Sequence, residues 1–203
     1  MRSKTILIGS VLLSCALLVT GCAKPPQAEL DALKAALAAA ESAQADIYAG
    51  SELGAAKDAL TAAQNEIETQ GKKFALFRSY KKAIEMINDA NGKAKAAQEA
   101  AVANKAKAKA DAETAQAAAS TAVTAVQTAM TELQGCKRKP KGFAEDMAQL
   151  QSRFDSLNAG LSSITSKISS EDFLGAKSEA DSLAANAATL TTDLQAAKTK
   201  IKC

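Results

Sequence analysis

The stretch from Phe143 to Ile168 reads FAEDMAQLQSRFDSLNAGLSSITSKI, and the spacing of its apolar residues decides the fold. Phe143, Met147, Leu150, Phe154, Leu157, Leu161, Ile164 and Ile168 recur in alternating steps of four and three. A strand repeats every second residue and a helix every ~3.6. The spacing therefore predicts a helix over 143–168 with one sustained apolar seam, packed as in a coiled coil. Ser169 and Ser170 read as the cap of a further helix, with Glu171 and Asp172 placed to favour its dipole. In that helix Phe173, Ala176, Ala180, Leu183, Ala187, Leu190, Leu194, Ala197 and Ile201 repeat the alternation. An antiparallel hairpin of the two sets Phe154 opposite Ala187 and Leu161 opposite Ala180. Large residues then face small ones, which lets the helices approach closely.

Upstream, Lys137 to Gly142 reads as a turn, and no strong breaker precedes it back to Leu76. Phe77, Tyr80, Ile84 and Ile87 open a heptad frame that reaches Ala108, Ala112, Ala115, Ala119, Ala122, Val126, Ala129 and Leu133. In between, the frame passes through Asn91, Gln98 and Lys105, so the seam is expected to be weak there, and Gly92 is where a kink could enter. A continuous helix from Leu76 would span about 58 residues and about 87 Å, and it needs partners along its length. Two shorter helices precede it. One is predicted over Gln27–Tyr48 on Leu30, Leu33, Leu37, Ala40 and Ile47; the other over Glu52–Gln70 on Leu53, Ala56, Leu60, Ala63 and Ile67. Ala49-Gly50-Ser51 reads as the end of one and the cap of the next.

Composition agrees. Ala fills nearly a quarter of the 203 residues, with seven aromatics, three Pro, no Trp and no His. Strand-rich folds need β-branched and aromatic residues and many turn formers, whereas an Ala-rich, Pro-poor chain forms long, closely packed helices. The fold class expected is all-α: elongated antiparallel helical bundles, or coiled coil, sharing one long central helix. The missing His removes the usual general base and the commonest metal ligand. No nucleophile–base arrangement, phosphate loop or metal spacing occurs, so no catalytic residue, metal site or cofactor is assigned.

The first residues are an address. Arg2 and Lys4 precede an apolar run, Thr5–Leu18, too short for an ordinary transmembrane helix. The run closes on Leu18-Val19-Thr20-Gly21-Cys22, which resembles the bacterial lipobox. That resemblance implies cleavage before Cys22, a diacylglycerol on its thiol and acylation of the new amine, with palmitate-type chains. Ala23 does not match the Asp that holds such lipoproteins in the inner membrane. The location expected is the outer membrane, lipid-anchored and facing the periplasm, with surface exposure an open alternative. Several acyl chains on one Cys anchor firmly, where a single chain binds only marginally. Pro25-Pro26 then keeps a short tether extended. Losing Arg2 and Lys4 leaves 23 of the 25 basic side chains against 22 acidic ones, so no nucleic-acid partner follows.

The chain then divides as leader 1–21, lipidated tether 22–26, a three-helix region 27–100, the continuation of the long helix 101–135, and a hairpin 136–203. Cys15 leaves with the leader and Cys22 carries lipid, so Cys136 and Cys203 remain in a compartment that permits disulfides. The hairpin register brings these two together at its open end. One bridge is expected to stabilise by about 4 kcal/mol in the chain-entropy model; free or intermolecular thiols are the alternative. Tyr48, Phe74, Phe77, Tyr80, Phe143 and Phe173 lie near helix ends and are expected to plug Ala-lined bundles rather than bind a ligand. Lys105, Lys107 and Lys109 do not share one helix face and read as a solvated stretch.

From Cys22 to about Ala100 the chain also resembles a group of alanine-rich bacterial lipoproteins carrying a domain of unknown function. The residues concerned are Cys22-Ala-Lys-Pro-Pro26, Ala43-Gln-Ala-Asp-Ile-Tyr-Ala49 before Glu52-Leu53, Ala55-Ala-Lys-Asp-Ala59 and Lys73-Phe-Ala-Leu-Phe-Arg-Ser-Tyr-Lys-Lys-Ala83. Where members of that group tend to carry a Pro-containing turn, this chain has Ala49-Gly50-Ser51. The resemblance implies an envelope-located helical protein and no catalytic residues. Two functions fit: a lipid-anchored, non-enzymatic spacer or scaffold of the envelope, or a helical adaptor or client-binding subunit of an envelope complex. Exposure of an apolar stripe near Asn91–Lys105 would favour the adaptor, and a polar surface there the spacer. A deep pocket with clustered, perturbed titratable groups would be needed to revive an enzyme.

Overall fold

A computed structural model describes residues 24–202; the leader, Cys22 and Cys203 lie outside the described residues. Six α-helices occur among the described residues: α1 (Gln27–Ser42), α2 (Ala45–Tyr48), α3 (Gly50–Gly71), α4 (Lys81–Gln134), α5 (Phe143–Ser169) and α6 (Phe173–Lys200). No strand occurs among the described residues, and the all-α class with one long central helix stands. The chain divides into two compact units between Ala103 and Asn104, so α4 contributes to both.

In the first unit α1 and α3 form a hairpin that packs on the beginning of α4. Lys57 pairs with Glu41 at 2.6 Å near the turn of that hairpin, and Lys82 with Glu66 at 3.0 Å where α3 meets α4. The core is Leu33, Leu37, Ala40, Ala45, Ala49, Leu53, Ala56 and Ala63 against Ile87, Ala90, Ala94, Ala97 and Ala101. The weak middle expected of α4 is thereby corrected. Its seam runs one residue ahead of Asn91 and Gln98, through alanines that are fully buried. Gly92 does not break the helix.

Two helix boundaries also differ. The helix expected over Gln27–Tyr48 breaks after Ser42, where Gln44 takes a left-handed φ of 60°. That break resets the face: Ala45 and Ala49 turn inward and Ile47 is left 53% exposed. The long helix begins at Lys81 instead of Leu76, because Ala75–Phe77 forms a 3₁₀ turn after Gly71. Phe74 and Phe77, expected as bundle plugs, are therefore exposed, while Tyr80 and Phe173 are buried as expected.

In the second unit α4 runs antiparallel to α5 and parallel to α6. Lys105 pairs with Glu171 at 2.6 Å and Glu132 with Lys198 at 2.8 Å, both across the same offset of 66 residues. Gln116 donates to Thr165 on α5 at 2.8 Å. The seams of α5 and α6 fall where the spacing places them: Met147, Leu157 and Ile164 are buried on α5, and Phe173 through Leu194 on α6. On α4 the buried residues are Val123 and Met130 instead of Ala122 and Ala129, because the seam takes two steps of four in succession at Ala115, Ala119 and Val123. Helices α5 and α6 approach closely at Gly160, where an added Cβ would overlap the Leu183 side chain. Asp172, not Ser170, caps α6, accepting from the Gly175 N–H at 3.0 Å.

Candidate functional site

The segment KRKPKG, residues 137–142, joins α4 to α5 and helps to build a concave surface of the second unit. Gly142 holds φ +88°, a left-handed conformation that L side chains rarely adopt, and directs the chain into α5. The Phe143 N–H donates to the Pro140 carbonyl at 3.1 Å, closing the turn. Lys139 Nζ lies 5.8 Å from the Phe143 ring centroid, a cation–π distance. Beside them opens a cavity of about 730 Å³, lined by the apolar Leu133, Met147, Leu150, Ala197 and Ile201 and by the charged Arg138, Lys139, Lys141, Lys200 and Asp146. Volume and lining suit a small ligand or a partner side chain. Four cations against one carboxylate favour a negatively charged head above an apolar body.

This cavity was not foreseen from sequence. The visible signal was four cations within Lys137-Arg-Lys-Pro-Lys141, but Lys200 and Ile201 join them only through the fold. Lys105, Lys107 and Lys109 lie outside this cavity. Lys105 reaches Glu171 in the turn between α5 and α6, while Lys107 pairs with Asp111 at 2.6 Å within α4 and Lys109 lies 3.9 Å from Glu113. The Lys105 hydrogen bond, reinforced by its charge, holds the Glu171 carboxyl below the ordinary carboxylate value. Elsewhere Gln70 and then Lys82 do the same for Glu66, and Lys167 and then Ser163 for Glu179.

Of the sequence-predicted site residues, Cys136 alone is described. It sits just past the end of α4, 3% exposed, with its sulfur 3.4 Å from the Glu132 carbonyl oxygen. Cys22 and Cys203 fall outside the described residues. Among the described residues no group of three or more His, Cys, Asp or Glu could hold a metal, and no helix is long and apolar enough to cross a membrane. No known protein family, curated protein or solved structure matches the chain.

Proposed function

We propose that the protein is a lipid-anchored, non-enzymatic lipoprotein of the outer membrane that acts as a helical spacer or scaffold in the cell envelope. The anchor is Cys22, and the resemblance of its N-terminal half to alanine-rich lipoproteins agrees with that setting. The observation that carries the spacer reading is the surface of α4 over residues 91–105. Its alanine seam is turned inward, and Val102 is the one large apolar residue exposed there, amid Lys93, Lys95 and Glu99. A surface of that kind stays solvated and offers no stripe for another helix.

A disulfide between Cys136 and Cys203 belongs to the same proposal. Two ion pairs, one from α4 to the turn that leads into α6 and one from α4 to the end of α6, keep a constant offset of 66 residues. That offset sets Cys136 level with Lys202, next to Cys203. The bridge would lock the end of α4 to the C-terminus. The second reading, a client-binding adaptor, is favoured by the cationic cavity at the 137–143 turn.

Membrane fractionation of cells carrying Cys22→Ser tests the anchor: the substituted protein should leave the membrane fraction, and unchanged retention would overturn the lipoprotein reading. A photo-crosslinker at Leu150 separates the two roles. Capture of one defined envelope protein there would favour the adaptor, and no capture the spacer.

A further inference from the structure

The segment between α3 and α4, KKFALFRSYKK over residues 72–82, displays three of its large apolar side chains to solvent. Phe74 is 70% exposed, Leu76 82% and Phe77 77%. Single exposed apolar residues are ordinary, but three within four positions form a patch that asks for an occupant. Around them stand Lys72, Lys73, Arg78, Lys81 and Lys82, all exposed, and no Asp or Glu occurs from Thr69 to Ile84.

The patch is held in place. Arg78 Nε donates to the Lys73 carbonyl at 2.8 Å across the turn, and the Phe77 N–H donates to the Phe74 carbonyl at 2.9 Å. Behind the turn, buried Gln70 accepts from the Ser79 N–H at 3.4 Å and donates to Glu66 at 2.8 Å. Glu66 in turn takes Lys82. The two Phe rings, with centroids 6.4 Å apart, project from a braced loop.

We infer that this loop inserts into the surface of an anionic phospholipid bilayer. Aromatic and leucyl side chains flanked by lysines and arginines suit the boundary between headgroups and acyl chains, where rings bury and cations meet phosphates. A second copy of the chain fits poorly, because it would set five cations against five. Three side chains are also far too few for a stable protein interface, yet they are enough for a shallow dip. Topology agrees. Helices α1 and α2 have 16 and 4 residues and α3 has 22, so the hairpin returns the loop to the end of the first unit where Lys24 and Gln27 enter. The loop needs no acylation of Cys22, so its failure and the failure of the anchor are separable.

The test uses the chain from Ala23 to Cys203, made without its leader and so without acyl groups. Because the chain has no Trp, Phe77→Trp supplies a single reporter. With phosphatidylglycerol vesicles its emission should shift to the blue and be quenched by brominated acyl chains; with phosphatidylcholine vesicles both effects should largely vanish. The triple variant Phe74→Ser, Leu76→Ser, Phe77→Ser should lower partitioning by at least about a hundredfold, with its melting temperature unchanged. Lys72→Glu with Lys73→Glu should lower it by about tenfold or more. A reporter that stays in water, equal binding to neutral vesicles, or a triple variant that partitions as well as the parent would overturn the inference. So would a dimer of the parent chain that the triple variant dissolves, which would make the loop a self-interface.

Discussion

Gly160 offers a test in which the sign of the effect reports the packing. In an exposed helix interior, Gly→Ala gains about 1 kcal/mol. Gly92 should show that gain, since an added Cβ there meets nothing within 4 Å. At Gly160 the same methyl would overlap Leu183 Cδ1, with Cγ at 3.7 Å and Cδ2 at 3.8 Å behind it. Leu183 is 8% exposed, so its side chain has little room to retreat. Overpacking of this kind costs about 1–3 kcal/mol. Taking about 2 kcal/mol against the propensity gain, Gly160→Ala should destabilise by about 1 kcal/mol. In a unit of this size that lowers the melting temperature by ~4–8 °C. Leu183→Ala removes the obstacle, and in that background Gly160→Ala should stabilise by about 1 kcal/mol. The coupling is then about 2 kcal/mol, within the range for residues in contact. Urea unfolding followed by circular dichroism on the four variants reads it directly. If Gly160→Ala stabilises as much as Gly92→Ala, or if the two substitutions in the second unit simply add, the close approach of α5 to α6 is refuted.

Other expectations follow from the same contacts. Oxidised protein should weigh ~2 Da less than reduced protein, and reduction should cost about 4 kcal/mol for a loop of ~67 residues; two free thiols in the non-reduced protein would remove the bridge. Asp172→Ala should destabilise α6 by about 1 kcal/mol through loss of its cap on Gly175, with faster amide exchange in the first turn; exchange unchanged there would show that the cap is dispensable. Gln44→Gly should stabilise the first unit by about 1 kcal/mol, because a non-glycine residue in the left-handed region costs ~1–2 kcal/mol; a lower melting temperature would contradict that backbone geometry. Glu66, Glu171 and Glu179 have lowered pKa values, so their contribution is present above the ordinary value of 4.5 and is lost as pH falls through their native values. Lys167 and Lys177 are raised, so theirs holds below 10.5 and is lost as pH rises through the native values. With no His in the chain, thermal melts should be flat from about pH 6 to 9 and fall in acid; a midpoint near neutrality would refute this assignment.

What could be read in advance depended on side-chain size. Helices α5 and α6 carry Leu, Ile, Phe and Met at their seam positions, so periodicity and burial coincide. In the middle of α4 almost every apolar residue is Ala, and Ala occurs on all faces. The frame carried forward from Phe77 was therefore one of several that fitted. The choice is made by Leu33, Leu37, Leu53 and their neighbours, which cover Ala90, Ala94, Ala97 and Ala101. The break after Ser42 had no Gly or Pro to announce it. The exposed loop is hidden in the sequence for a related reason: Phe74 and Phe77 are core residues by type, and only the 3₁₀ turn that separates them from α4 leaves them in solvent. The cationic cavity needed residues from 133–150 and 197–201 brought together, which no local pattern states.

The seam of α4 also explains how one helix serves two cores. It runs Ala83, Ile87, Ala90, Ala94, Ala97 and Ala101, and then, after two steps of four in succession, Lys105, Ala108, Ala112 and Ala115. A second such pair of steps follows at Ala119 and Val123. A strict seven-residue repeat drifts by ~20° per heptad around an ideal helix and can be kept in contact only by supercoiling. Each extra step of four brings the local repeat to eleven residues, about 3.67 per turn, and turns the seam back. The first adjustment falls at Ala97, Ala101 and Lys105, across the division between Ala103 and Asn104. Lys105 then occupies a seam position with a charge, half-buried and reaching Glu171. The frame that suits the α1–α3 hairpin is thus not simply extended to α5 and α6. Hydropathy alone would have turned Val102 inward; instead Val102 is 58% exposed and Ala101 fully buried. At this point close helix approach, which a small side chain permits, outweighs the apolar area a larger one would bury.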